Sequence, residues 1–312
     1  MSQSHVPDHA ELPPPSLEEV SPGIFAYVQL DGTWFLNNCG FIVGKQSAVV
    51  IDTTSTEKRA HAFREAVRRT TSHPVQALVN THSHGDHTHG NYLFSPHTAI
   101  IAHDLCRDEV ARQNIEATQK RFPTGDFGHP IPTPPMVTFP DRLSVFVDDL
   151  KVELQHMGPA HTTNDVIAWI PERKVLFSGD LVFNGGTPFA MAGSIAGWLE
   201  ALPRLRALEP ETIVPGHGAV CDASVFDTIE AYLRFVQATA QRGFEAGMPP
   251  LELARSIDLG EFAGLGDSER IVGNLHRAYS ELRGEPRGAL LSPAAFTEMI
   301  EYNGGQPLRC LA

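Results

Sequence analysis

The sequence predicts a mixed α/β domain followed by an all-helical extension, and three observations predict it. Short β-rich apolar runs alternate with helical stretches from about residue 21 to about residue 222; one strand–helix–strand pattern occurs twice; and beyond about residue 222 the strand signal stops. The β-rich runs are IFAYVQL (24–30), GFIVG (40–44), AVVID (48–52), ALVN (77–80), AIIA (99–102), VIAWI (166–170) and KVLFSGD (174–180). The first copy of the repeated pattern is AVVID, a helical stretch from Thr56 to Arg69, and ALVNTHSH (77–84). The second is KVLFSGD, a helix around Trp198 to Leu208, and TIVPGH (212–217). In both, an Asp closes the first strand and His follows the second. Two such units with their strand ends together face polar loops across one edge, where sites of layered α/β folds are built.

Residues 1–20 are polar and contain Pro13, Pro14 and Pro15, which predicts a loose tail. The stretch 121–135, RFPTGDFGHPIPTPP, is dense in Pro and Gly and reads as a long irregular loop. In the extension, Val225, Phe226, Ile229, Tyr232, Leu233, Val236, Ala240 and Phe244 recur at helical spacing before Gly247 and Pro249. Ile271, Leu275, Ala278, Tyr279 and Leu282 predict a second helix with Asp267 as N-cap candidate, and Ser292–Pro293 opens a third that ends by Gly304. The predicted division is a tail over 1–20, an α/β domain over 21–222 and a helical region over 223–312.

Composition narrows the function. The 312 residues carry 24 Lys+Arg against 37 Asp+Glu, a net charge of −13. That balance argues against a nucleic-acid partner, whose affinity rests on basic side chains neutralising phosphates. Cys39, Cys106, Cys221 and Cys310 lie far apart with no C-x-x-C pair, so neither a cysteine zinc site nor a disulfide framework is expected. The first twenty residues lack the positive segment and apolar run of a secretory signal, and no run of about 18 apolar residues follows. Cytoplasmic residence and no membrane partner are the expectations, while composition leaves the oligomeric state open.

The fifteen histidines are the feature to explain. In THSHGDHTHGN (81–91), His82 and His84 stand two apart after an apolar strand, so both can point one way from extended backbone, and Asp86 and His87 follow at the start of a helix. Imidazole and carboxylate are typical zinc ligands, and one short segment with two clusters can serve two ions. GPAHTTND with His161, LFSGDLVF with Asp180 and IVPGHGA with His217 each place one further ligand-type residue in a Gly-flanked turn after an apolar strand. Singly each is also what a cap or hydrogen-bonded turn residue looks like; together with residues 82–87 they form a set.

This ordered set resembles the metallo-β-lactamase fold superfamily, whose motifs H-x-H-x-D-H and then a single H, D and H are matched by His82/His84/Asp86/His87, His161, Asp180 and His217. The resemblance covers roughly residues 21–222. It implies an αββα sandwich with a dinuclear metal site at one edge: His82, His84 and His161 on the first ion, Asp86, His87 and His217 on the second, and Asp180 bridging. Keeping both Asp86 and His87 looks like the glyoxalase II and lactonase pattern; Cys221, four residues past His217, does not occupy the thiolate position of some lactamases. The implied cofactor is two Zn²⁺ per chain, with iron or manganese as alternatives. The implied activity is hydrolysis of an ester, thioester or lactone by a metal-bridging hydroxide, since metal lowers the pKa of its water to about 7. Asp86 is also placed to accept or deliver a proton.

The segment SGDLVFNGGTPFAMAG and the helical tail are similar to a subgroup that includes second-ring polyketide cyclase/thioesterases, which is the alternative function. Further alternatives are a mononuclear iron persulfide dioxygenase and a non-catalytic metal-binding protein. Asp52 stands as either an orienting partner of a metal-bound imidazole or a turn cap, and Asp165 as either a brace for the His161 turn or a cap. The expected partner is a small acyl, lactone or polyketide-like molecule. Phe127, Phe189, Met191, Trp198 and Tyr279 are candidates for an aromatic, apolar wall against it or for core, and His129 in the 121–135 loop is a candidate contact.

Overall fold

The structure is a computed structural model describing residues 12–312. Its elements in order are β1 (Ser16–Ser21), β2 (Ile24–Val28), β3 (Cys39–Val43), β4 (Ala48–Ile51), α1 (Glu57–Thr70), β5 (Val75–Val79), α2 (Gly85–Thr88), β6 (Ala99–His103), α3 (Asp104–Ala111), α4 (Ile115–Arg121), β7 (Val137–Phe139), β8 (Arg142–Val147), β9 (Leu150–His156), β10 (Val166–Ile170), β11 (Val175–Phe183), α5 (Ile195–Arg206), β12 (Thr212–His217), α6 (Val225–Glu245), α7 (Pro250–Ser256), α8 (Arg270–Leu282) and α9 (Ala294–Tyr302).

Two sheets form the middle layers. One has the order β1 to β7, antiparallel as far as β4 and parallel beyond it; the other has the order β12-β11-β10-β9-β8, with only β11 and β12 parallel. Strand alternation sends Ile42, Val49, Ile51 and Val79 of the first sheet and Val152, Leu154, Ala168 and Phe177 of the second into one shared core. The opposite face of the first sheet, with Phe41, Val50 and Leu78, packs on Phe63 and Val67 of α1. Each such buried side chain contributes about 1.5–3 kcal/mol relative to exposure. The outer face of the second sheet, with Ile167, Trp169 and Ile213, packs on Leu202 and Leu205 of α5 and joins the core of the C-terminal helices. Helix–sheet–sheet–helix is the αββα sandwich.

Local signals account for the helices. Thr56 caps α1 by accepting from the Arg59 amide, and Glu57 in the first turn and Arg68 and Arg69 in the last complement the helix dipole. The repeat read from the sequence is one β-α-β unit per sheet, β4-α1-β5 and β11-α5-β12, each with parallel strands. Asp180 lies inside β11 rather than at its end, because that strand runs on to Phe183.

Three expectations are corrected. Ser16–Ser21 form the edge strand β1 rather than part of a loose tail; residues 1–11 lie outside the described residues. β1 is mostly exposed, so it lacks the apolar signature of an inner strand. β7, β8 and β9 fall where no element is predicted: β8 alternates Arg-Leu-Ser-Val-Phe-Val, a half-exposed strand. Asp267 does not cap α8, which Glu269 precedes without a side-chain cap; its carboxylate instead pairs with Arg270 at 2.8 Å. Among the described residues no helix is long and apolar enough to cross a membrane.

Candidate active site

The apolar run of β5 ends at Val79 and the chain bends over residues 81–83, which brings the ligand atoms of His82 and His84 into the same space. The single turn of α2 then presents Asp86 and His87. His161 comes from the turn between β9 and β10, Asp180 from β11, and His217 from the end of β12. The strand ends therefore bring seven ligand-type side chains to one edge of the sandwich. They form two groups, His82/His84/His161/Asp180 and Asp86/His87/His217, each with its ligand atoms within 4.8 Å of one another and able to hold a metal ion. Asp180 joins them: Oδ2 lies 3.2 Å from His161 Nε2 and 3.3 Å from His217 Nε2, and Oδ1 lies 3.0 Å from His87 Nε2.

The donor set fits metal rather than a closed polar network. His82 Nε2 is buried without a hydrogen bond, and His87 Nε2 and Asp180 Oδ1, though 3.0 Å apart, are buried and not aligned to bond each other. A buried unsatisfied polar atom costs about 1–3 kcal/mol, and such atoms turned toward common space are what coordination would satisfy.

The Nδ1 atoms of His82, His87 and His161 are held from outside the cluster. His87 Nδ1 lies 2.8 Å from Asp52 Oδ2, and Asp52 in turn accepts from the Thr81 amide and hydroxyl, both at 2.7 Å. Asp52 takes the left-handed conformation, φ 59°, that turns its carboxylate back onto this group. His161 Nδ1 donates to the Phe189 carbonyl, and His82 Nδ1 lies 3.1 Å from the Thr81 hydroxyl. Gln113, just past the end of α3, donates to the Ser83 carbonyl and the Thr88 hydroxyl, both at 2.7 Å, pinning the turn between His82 and His87. Asp165 touches no ligand directly; it accepts from the Thr162 hydroxyl at 2.6 Å and from the Ala160 amide at 3.2 Å, bracing both neighbours of His161. Partners of ligand imidazoles are typically worth about 10–100-fold in metal affinity. Asp52→Asn is accordingly expected to weaken metal binding by about that factor. Competition with a zinc chelator checks it, and wild-type affinity would remove Asp52 from the site.

Electrostatics divides the two groups. Burial pushes His82 and His84 below the ordinary imidazole range and His161 down to about 3, so these three are neutral donors at pH 7. His217 is pushed up to about 9 against its burial by Asp180 and Asp86, and His87 is raised in the same way by Asp180, Asp52 and Asp86. The facing imidazoles hold both Asp86 and Asp180 below the carboxylate range although burial opposes this. A cation entering the second group displaces protons, as metal binding to His generally does.

A cavity of about 320 Å³ opens beside the cluster, within the range of small-molecule sites. His84, Asp86, His161, Asp180 and His217 form its floor. Phe189 and Met191 line it, as expected. The other four wall or contact candidates do not. Phe127 is fully buried against Phe35 and His89. Trp198 is fully buried beneath His161, its indole N–H on the Leu181 carbonyl. Tyr279 donates to the Met248 carbonyl within the helical layer. His129 is exposed, and only its backbone is held, by Glu57. In their place the structure supplies Trp34, Phe35, Phe122, Phe183, Phe296 and Arg270, with His89 at the rim of the ligand turn.

A four-layer sandwich with buried His and Asp at one sheet edge defines a class of metal-dependent enzymes. The chain belongs to the Metallo-beta-lactamase superfamily, whose family model matches residues 32–217 and whose members are metal-dependent hydrolases or related enzymes. It is 28% identical over 228 residues to the 2,4-dinitroanisole O-demethylase subunit alpha of Nocardioides sp. (strain JS1661), a match covering 71% of this chain and 62% of the relative. The matched region thus spans less than two thirds of that subunit. It is 24% identical over 213 residues to the metallo-beta-lactamase type 2 of Bacteroides fragilis, covering 65% of this chain and 79% of the lactamase. Among solved structures, a metallo-beta-lactamase from Pontibacter korlensis superposes with a TM-score of 0.57 at 21% identity, over 71% of this chain and 99% of that one.

Proposed function

We propose that the chain is a metal-dependent hydrolase that is dinuclear, binds zinc, and attacks the carbonyl of a small ester, thioester or lactone. The observation that carries the reading is the pair of ligand groups joined by Asp180, with unpartnered buried nitrogens and oxygen turned inward. His82, His84 and His161 would hold one ion, Asp86, His87 and His217 the other, and Asp180 both. When bound, such a pair supplies Lewis acidity and hydroxide at neutral pH. Asp52, Thr81 and the Phe189 carbonyl keep the imidazoles in the tautomer that leaves Nε2 of His87 and His161 facing the site. Asp86 lines the cavity and can take or return a proton at its carboxylate. The unpaired cysteines accord with residence in the reducing cytoplasm.

The aromatic lining favours a second reading, a polyketide cyclase/thioesterase, because ring closure and thioester cleavage both develop oxyanion character at a carbonyl. Chelation followed by zinc titration tests the proposal: activity on a panel of esters, thioesters, lactones and aryl ethers is expected to vanish and to return at two zinc per chain. The panel includes aryl ethers because the Nocardioides relative is named for such a substrate. One iron per chain, or a dizinc form inert on the whole panel, would overturn it.

A further inference from the structure

We infer that the C-terminal helices complete a subsite for a planar aromatic ring beside the metal centre, with Glu269 and Arg270 as positioning residues that set its far wall through Trp34. The inference names the substrate class of the hydrolase proposed above, and rests on that reading only in placing the ring next to a reacting carbonyl.

Trp34 lines the cavity and comes from the loop ahead of β3, yet both groups that hold it come from the start of α8. Its indole N–H donates to Glu269 Oε1 at 2.7 Å, and the Arg270 guanidinium lies over its ring at 4.2 Å. Arg270 is 2% exposed and is itself fixed by the Thr187 carbonyl at 3.0 Å and by Asp267 at 2.8 Å. A buried cation over an indole face is worth more than an exposed one, so the clamp is stiff.

The clamped indole continues into a wall of rings. Trp34 meets Phe189 at 5.2 Å edge-on and Phe122 at 5.3 Å, and Phe122 meets Phe296 of α9 at 5.7 Å. All four rings line the cavity, and they arrive from four separate segments of the chain. Generic apolar binding needs no such composition, since aliphatic side chains bury area equally well. A set of rings presenting both faces and edges adds the preference of aromatic pairs for offset and edge-on geometry, which a saturated ring of similar size does not satisfy.

The test compares 2-naphthylmethanol with its decahydro analogue by saturation-transfer NMR and calorimetry on the zinc-loaded full chain, and then the rates of cleavage of their acetates. The naphthyl compound is expected to bind about two- to twelvefold more tightly than its saturated partner, the span that ring-pair energies give. Glu269→Ala is expected to bring that ratio close to one, and Glu269→Gln, which keeps a carbonyl acceptor for the indole, to restore it. A merely structural role would weaken both probes together and leave the ratio unchanged. Equal affinities in the wild-type chain overturn the subsite whether or not any variant folds. Ring-selective binding without cleavage of either acetate or of any panel compound supports the subsite and removes the hydrolase reading. Equal binding with cleavage of both acetates keeps the hydrolase reading and removes the subsite.

Discussion

Asp180→Asn is expected to lower the metal content from two ions per chain toward one and to cut kcat/KM on any cleaved substrate by more than about 100-fold, beyond the range for outer partners. The reason is geometric. Asp180 is the one carboxylate that faces both groups, with oxygens 3.2 Å from His161, 3.3 Å from His217 and 3.0 Å from His87. Asparagine keeps the shape but brings a neutral amide whose NH₂ cannot ligate, so the proposed pair of ions would lose the anion between its members. His87→Ala should act in the same direction, removing one nitrogen of the second group while leaving His82, His84 and His161 intact. Elemental analysis alongside turnover checks both variants; full activity with a single metal would contradict the shared role of Asp180.

Gly216→Ala should be nearly as damaging although it replaces no ligand. A Cβ at this position would lie 1.9 Å from Asp180 Oδ1, 2.7 Å from the Gly179 carbonyl carbon and 2.8 Å from the Asp180 amide nitrogen. Two of those neighbours are backbone of β11, held in the parallel pairing that matches Gly179 with Pro215, so the carboxylate has to move. Overpacking of this kind costs about 1–3 kcal/mol, and here the cost falls on the residue that joins the two ligand groups. The expected result is a lower melting temperature together with loss of metal; a variant with wild-type metal content would show that β11 and β12 can separate without disturbing Asp180.

Both predictions use residues whose importance is unequally visible in the sequence. Asp180 and the six other ligand-type residues stand in short polar motifs that interrupt apolar strands, and a strand end has only one place to put them. Asp52 is half visible: its position after β4 suggested an orienting partner, but the choice between that and a turn cap needed its φ of 59° and the 2.8 Å contact to His87. Gly216 is invisible, because the reason for a glycine there is the Asp180 carboxylate on the neighbouring strand. The edge strand β1 and strand β8 escaped for a different reason: with one or both faces exposed, their side chains need not be apolar.

The cavity wall shows the same divide most plainly. An aromatic residue in a helix or loop reads alike whether it fills a core or faces a ligand, so Trp198 and Tyr279 were as good candidates as Phe189, and packing alone separated them. What the sequence by itself determined is the mixed α/β domain, the helical extension and the ligand-type residues, because strand periodicity and polar interruptions are local, while the sandwich followed from the family resemblance that those residues carry. What only the tertiary structure decided is the cavity's shape, since Trp34 meets Glu269 across 235 positions of chain and such contacts leave no local trace.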